Sequence, residues 1–309
     1  MTLKHILLFA GMLCLGCILI NKNAFQNHTA NPSIFRLGYS NLVFQEIDPK
    51  DGNAALLIYA QRLEKQLAQQ KGIKINLKAK IYYSLDEVRE DLSQRNVDLL
   101  SVPADQYFEL KHDFNIEPCL AVVSYDNIFT KYIIIASAKK SIKKISDLKK
   151  KTFSIPNNYR QTLAVKWLDV LLYRNKLKDL ESCFENIKYV KNESNAVYNV
   201  FFDKTDCAII RESVFHTLTE LNPQLKETIV EIESSPEFIS NVMAYLKDSP
   251  HSRLDLVIQE SSELHLSKEG KSILEIFKSS RVEKITEADL QNTKLIIDEF
   301  NSIKTKRNK

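Results

Sequence analysis

The chain alternates short apolar runs with amphipathic stretches over most of its length. Ile34-Phe35-Arg36-Leu37-Gly38-Tyr39 reads as a strand. Within Ala54–Leu67, apolar residues at 56, 57, 60, 63 and 67 form a helical stripe. Ile73, Ile75, Leu77, Ala79 and Ile81 alternate with Lys74, Asn76, Lys78 and Lys80, the two-residue period of a half-buried strand. Ser84-Leu85-Asp86-Glu87 is a capping box that opens a helix to about Gln94. Val97–Val102 is a short buried strand that Pro103 stops. Strands are predicted near 118–124, 131–137, 153–155, 186–190, 207–210 and 228–233, and helices near 160–175, 194–203 and 212–221. Beyond residue 250 the pattern is mostly helical, at 251–264, 268–278 and 286–303.

Strands separated by helices predict an α/β fold with mostly parallel sheets and ligands at the carboxyl ends of the strands. The strands at 118–124 and 131–137 have no helix between them, which marks a place where the chain crosses from one lobe to another.

The amino terminus has its own pattern. Lys4 and His5 precede the uncharged run Ile6–Ile20, and Asn21-Lys22-Asn23 ends it. Such a run extends about 23 Å as a helix, short of the roughly 30 Å hydrocarbon core. Residues 1–20 therefore read as an export signal and 21–33 as a polar tether, placing the mature chain in the periplasm or cell envelope. Leu15-Gly16-Cys17 looks like the end of a lipoprotein signal with Cys17 as the lipid acceptor, although Cys14 stands where Leu is usual. Cleavage near Thr29-Ala30 and an uncleaved anchor are the alternatives. Membrane contact is expected through this terminus only.

Composition narrows the chemistry. A length of 309 residues at 44% hydrophobic content allows two domains with real cores. The net charge of +4 creates no demand for a nucleic-acid partner. Only six glycines occur; Gly11 and Gly16 lie in the leader, and Gly38, Gly52, Gly72 and Gly270 are scattered. That spacing excludes a P-loop, a GxGxxG fingerprint and a GxSxG elbow. The six histidines form no HExxH and no close pair, and no nucleophile–base pair stands out. No enzyme activity, metal or cofactor is expected. Lys139, Lys140, Lys143, Lys144, Lys149, Lys150 and Lys151 read as a solvated face, because no aromatic or groove-reading partners accompany them. Cys119 and Cys207 lie in apolar runs and read as small buried hydrophobes; a bond involving Cys183 is left open.

Several stretches together resemble a known family. They are the first strand with Tyr39, Val97-Asp98-Leu99-Leu100 before a helix, the segment Ile145-Ser146-Asp147-Leu148, Asn195-Ala196-Val197, Thr205-Asp206-Cys207-Ala208-Ile209-Ile210, and Ser272-Ile273-Leu274-Glu275-Ile276-Phe277-Lys278. Their order is similar to that of the phosphonate/phosphate-type periplasmic substrate-binding proteins of ABC transporters. The resemblance implies a two-lobed periplasmic-binding-protein-like fold, each lobe a sheet flanked by helices, joined by a two-strand hinge. Lobe 1 would comprise 34–122 and 229–309, and lobe 2 would comprise 123–228.

By the same resemblance, ligand groups lie at strand ends facing the cleft: Tyr39 and Ser40 on one side, and Asn157, Asn158, Arg160, Gln161, Thr162, Glu193, Asn195 and Arg211 on the other. The family's Ser/Thr-rich loop is reduced here to Thr162, with Arg160 added; its His-Glu pair is replaced by Asn192-Glu193. Two arginines suit a small anion such as phosphonate, phosphate or a carboxylate, gripped bidentately. The expected partners are that anion and a membrane permease or sensor, with the binding protein itself a monomer. The alternative is an envelope lipoprotein with a degenerate cleft that serves as an interaction or structural protein.

Overall fold

The computed structural model describes residues 33–44, 49–123, 127–157, 161–248 and 253–307. The export signal with Cys17, nearly all of the tether, Asn158 and Arg160 lie outside the described residues.

The elements run β1 (Ser33–Ser40), α1 (Pro49–Lys71), β2 (Ile75–Tyr82), α2 (Leu85–Ser93), β3 (Leu99–Pro103), α3 (Ala104–Asp113) and β4 (Ile116–Val123). There follow β5 (Tyr132–Ser137), β6 (Thr152–Pro156), α4 (Thr162–Arg174), α5 (Leu180–Cys183), β7 (Asn186–Val190), α6 (Glu193–Phe201), β8 (Cys207–Arg211), α7 (Glu212–Leu221), α8 (Gln224–Thr228) and β9 (Ile229–Ser234). The chain ends with β10 (Asn241–Leu246), α9 (Leu254–Ser262), α10 (Lys268–Ile276), β11 (Arg281–Lys284) and α11 (Gln291–Arg307).

Local chemistry accounts for several boundaries. Ser84 Oγ accepts the Glu87 N–H at 3.2 Å and opens α2. Gly72, at φ +67°, takes the left-handed position just past α1. In β2, Ile75 and Leu77 are buried while Lys78 and Lys80 face solvent. β3 and β8 are buried along their whole length, as strands flanked on both faces must be.

Among the described residues the strands form two sheets, ordered β11-β4-β10-β3-β1-β2 and β7-β6-β8-β5-β9. Helices flank both, the α/β architecture expected. Both sheets are mixed. β1 pairs β3, and β6 pairs both β7 and β8, in parallel. β10 runs antiparallel between β3 and β4, and β5 antiparallel between β8 and β9. β10 and β11 were not predicted: Met243 and Ala244 weaken the strand signal of β10, and β11 is only four residues long.

The chain crosses between the sheets twice, from β4 to β5 and from β9 to β10. The crossings pair with each other: Thr130 N–H donates to Phe238 O at 2.7 Å and Phe238 N–H to Thr130 O at 2.9 Å. This is the expected two-strand hinge. The second crossing falls later than the expected boundary at 229, because β9 stays paired to β5 and the chain leaves the second sheet only after Ser234. One buried cluster spans the hinge, joining Val102 and Tyr107 to Ile134 and Trp167 through Phe238 and Ile239.

The C-terminal helix also departs from the expected lobe boundaries. α11 packs along α4, a helix of the second sheet. Arg174 Nε donates to Glu299 Oε1 at 2.9 Å, Arg307 Nη1 donates to Asp169 Oδ2 at 2.6 Å, and Lys166 lies 5.0 Å over the Phe300 ring. Its first turn stays with the hinge, where Thr293 Oγ1 accepts the Ile239 N–H at 2.9 Å.

Gly38 permits the close approach of β1 to its neighbours. A Cβ there would stand 2.6 Å from the Tyr82 ring and 2.9 Å from Val97. Gly38→Ala is expected to cost about 1–3 kcal/mol through overpacking, read as a lower urea midpoint at unchanged slope.

Candidate functional site

The two crossings fix where a site can lie. In the first sheet the carboxyl ends of β1 and β3 and the start of β10 share one edge: Tyr39 is level with Ser101, and Asn241 with Pro103. In the second sheet the carboxyl ends of β6, β7 and β8 share an edge with the start of β5, where Tyr132 lies opposite Arg211. Both crossings join these two edges, so the edges bound the interlobe cleft.

The first edge is polar but uncharged. Asn241 Nδ2 donates to Val102 O at 3.0 Å, and Ser101 Oγ donates to Asn241 Oδ1 at 3.3 Å. Tyr39 and Ser40 are both buried. Beside this edge a cavity of about 110 Å3 runs inward from the crossings. Its lining combines exposed Asn127 and half-buried Thr130 and Ser240 with buried Leu56, Tyr59, Ser261, Leu264, Ile273 and Leu274. Among the described residues no charged side chain lines it. Burial raises the Tyr39 phenol well above its ordinary value. Burial likewise pushes Tyr59 up to about 12, although its hydrogen bond with Ser261 pulls the other way. Both tyrosines are neutral at physiological pH.

The second edge is built on a buried ion pair. Glu193, the first residue of α6, and Arg211, the last of β8, are 4% and 6% exposed. Arg211 Nε donates to Glu193 Oε2 at 2.8 Å, and its Nη2 donates to the same oxygen. The Arg211 backbone N–H and Gln161 Nε2 reach Glu193 Oε1 at 2.7 and 2.9 Å. Gln161 is itself buried, and its Oε1 has no hydrogen-bond partner among the described residues. The amino termini of α4, α6 and α7 open at this edge, adding partial positive charge. Among the described residues no group of three His, Cys, Asp or Glu side chains is placed to hold a metal ion.

A strand-end cleft between two mixed sheets joined by paired crossings has known counterparts. A family model for the periplasmic substrate-binding protein of phosphonate ABC transporters matches residues 47–290. The chain belongs to this family. Its members are the binding components of ABC import systems. They bind small ligands, interact with a membrane permease and act as exported transport proteins, not as enzymes. No curated protein matches the chain.

Solved structures share the fold at low identity. A binding component of a phosphonate transporter from Pseudomonas aeruginosa superposes with TM-score 0.55 at 13% identity, covering 86% of each chain. PhnD1 of Prochlorococcus marinus, in complex with methylphosphonate, gives 0.57 at 14% identity over 88% of this chain and 99% of its own. A chloride-bound protein from Xanthomonas citri gives 0.63 at 12% over the same shares. Among the described residues no helix is long and apolar enough to cross a membrane.

The binding protein's predicted site residues divide into groups. Tyr39 and Ser40 lie on the first edge, and Tyr39 lines the cavity. Gln161, Glu193 and Arg211 form one hydrogen-bonded cluster on the second edge, so the arginine's charge is met by Glu193. Thr162 opens α4. The Asn157 N–H donates to Val190 O at 2.8 Å and is thereby committed to the sheet. Asn195 is exposed, with its N–H capped by Asn192 Oδ1 at 2.9 Å. Ser101 and Asn241 were not singled out. Ser101 sits near the end of β3, where strand-end logic reaches it; Asn241 belongs to the unpredicted β10. Tyr59 and Ser261, 202 residues apart, carry no local signal.

Elsewhere, Lys139 and Lys140 pair with Asp203 and Asp206 at 3.4 and 3.1 Å, and the remaining lysines of the run are exposed apart from half-buried Lys151. Cys119, Cys183 and Cys207 are free and buried.

Glu193→Ala leaves a buried guanidinium without its carboxylate. It is expected to cost about 3–5 kcal/mol in urea unfolding. The raised tyrosine pKa values favour the neutral phenol in the folded state. Their contribution to stability is therefore complete below pH 10 and is lost as pH rises through about 12. Phenolate absorbance measured beside the unfolding midpoint is expected to rise over the same pH interval in which the midpoint falls.

Proposed function

We propose that this chain is the exported solute-binding component of an ABC uptake system, or of a related sensor, and that it binds a small anion between the two strand-end edges. The observation that carries this is the second edge, where the amino termini of α4, α6 and α7 converge around Arg211. Helix amino termini and guanidinium N–H groups are donors suited to phosphonate, phosphate or carboxylate oxygens. Thr162 and, by their sequence positions, Asn158 and Arg160 supply further donors, with Tyr39 and Ser40 facing them from the first edge. Glu193 holds Arg211 in place and limits the net charge to what a singly charged ligand balances.

Gln161 adds a selection rule. Its buried Oε1 calls for a donor, because a buried acceptor without one is costly. A hydrogen phosphonate or hydrogen phosphate carries an O–H; a sulfonate does not. The relative bound to methylphosphonate supports this choice of head group. Export through residues 1–20, anchoring at Cys17 and a monomeric state complete the reading.

Isothermal titration against methylphosphonate, inorganic phosphate, acetate and methanesulfonate tests it. Binding by methylphosphonate or inorganic phosphate is expected, with methanesulfonate and acetate, neither of which carries an O–H at neutral pH, weaker than methylphosphonate by about tenfold or more. Arg160→Ala is expected to weaken binding while Lys268→Ala leaves it unchanged. A folded protein that binds none of these anions overturns the proposal and favours the degenerate-cleft alternative.

A further inference from the structure

We infer that the cavity beside Tyr39 receives an uncharged, apolar substituent of the ligand, so that the protein prefers organic anions whose substituent has the size of a butyl chain or a five-membered ring over those carrying a methyl group. The inference rests on the anion reading above and adds the ligand's other end.

The cavity's polar side chains are largely spent on one another. Ser101 is bonded to Asn241, Asn241 to the Val102 carbonyl, and Tyr59 to Ser261 at 2.5 Å. What remains facing the space is mostly methyl and ring surface from Phe44, Leu56, Leu264, Ile273, Leu274 and Phe277. Phe44 anchors this wall, its ring 6.1 Å from Tyr39 and 5.7 Å from Phe277, both edge-on. With no charged side chain in the lining among the described residues, an anionic group inside would lose its hydration without compensation from them. An apolar group meets no such penalty.

Size supports the same class. The cavity holds about 110 Å3. Cavities of about 150 Å3 lined by Leu, Ile and Phe take up benzene. A butyl chain or a five-membered ring is the matching scale, whereas a lone methyl group leaves most of the space unused. Asn127, Thr130 and Ser240, the lining residues that belong to the crossings, are half-buried or exposed and adjoin the first edge, so a head group held between the edges can direct its substituent past them.

The test compares butylphosphonate, methylphosphonate, inorganic phosphate and neutral 1-pentanol by isothermal titration, with wild type and Leu274→Phe. Leu274 is 3% exposed in α10, and the larger ring fills the cavity. Affinity is expected to rise roughly 4-fold per buried methylene from methyl- to butylphosphonate. Leu274→Phe is expected to erase that gain while leaving methylphosphonate binding intact, which also reports that the variant folds. Val282→Phe, which fills the same space from β11, serves if Leu274→Phe does not fold. Equal affinity for the methyl and butyl compounds overturns the inference and leaves the anion reading standing. Binding of 1-pentanol that Leu274→Phe abolishes, with no anion bound, upholds the cavity and overturns the anion reading. Failure of all four probes overturns both.

Discussion

The pairing of the two crossings is the constraint on which the rest of the structure depends. Thr130 and Phe238 exchange backbone hydrogen bonds where the chain passes between sheets, outward after β4 and back before β10. Because the two passages are bonded to each other, the strands that feed them must begin or end at the same level. That fixes which edge of each sheet faces the other. Parallel β-strands then bring their carboxyl ends, and the amino termini of the helices that follow, to those edges. A cleft rich in backbone donors follows from how the sheets are connected, before any particular side chain is considered.

Side chains then give the two edges different characters. The second edge keeps a charge network, Gln161–Glu193–Arg211, withdrawn from solvent and internally matched. The first edge carries no charge among the described residues; Ser101 is bonded to Asn241, and Tyr59 to Ser261, over a largely apolar cavity. A buried ion pair holds its shape because separating the partners is costly. A cavity walled by side chains is more easily reshaped by substitution. The molecule thus places its fixed electrostatics in one lobe and its adaptable surface in the other, an arrangement suited to a constant head group with a variable substituent.

Much of this was legible in the residues. The alternation in β2, the capping box of α2 and the apolar runs that open β3 and β8 are local signals, and the structure follows them. The crossing after β4 was legible because two apolar runs follow each other with no helix between. The strand β10 was not: its six residues are framed by polar loops and include Met and Ala, and only the gap between β3 and β4 makes them a strand. The site divides along the same line. Strand-end reasoning reaches Tyr39, Gln161, Glu193 and Arg211, because chain order alone puts them at edges. It does not reveal that Glu193 answers Arg211, since that depends on the level at which α6 meets β8. Nor does it reveal the cavity, whose walls come from α1, α9 and α10 and meet only when the whole chain has folded.

The seating of α11 has a consequence for the order in which the molecule is completed. The strands of the second sheet are all present once Ser234 is reached, and α4 is present well before that. Yet α4 directs apolar surface toward Ile296, Ile297, Phe300 and Ile303, which come more than a hundred residues later in the chain. Without them the lobe would keep one open apolar face. The last seventeen-residue helix covers that face and, through Thr293, fastens the same stroke to the hinge. The cover of the second lobe and a contact to the hinge are thus carried by one helix, so both depend on the same late segment of the chain.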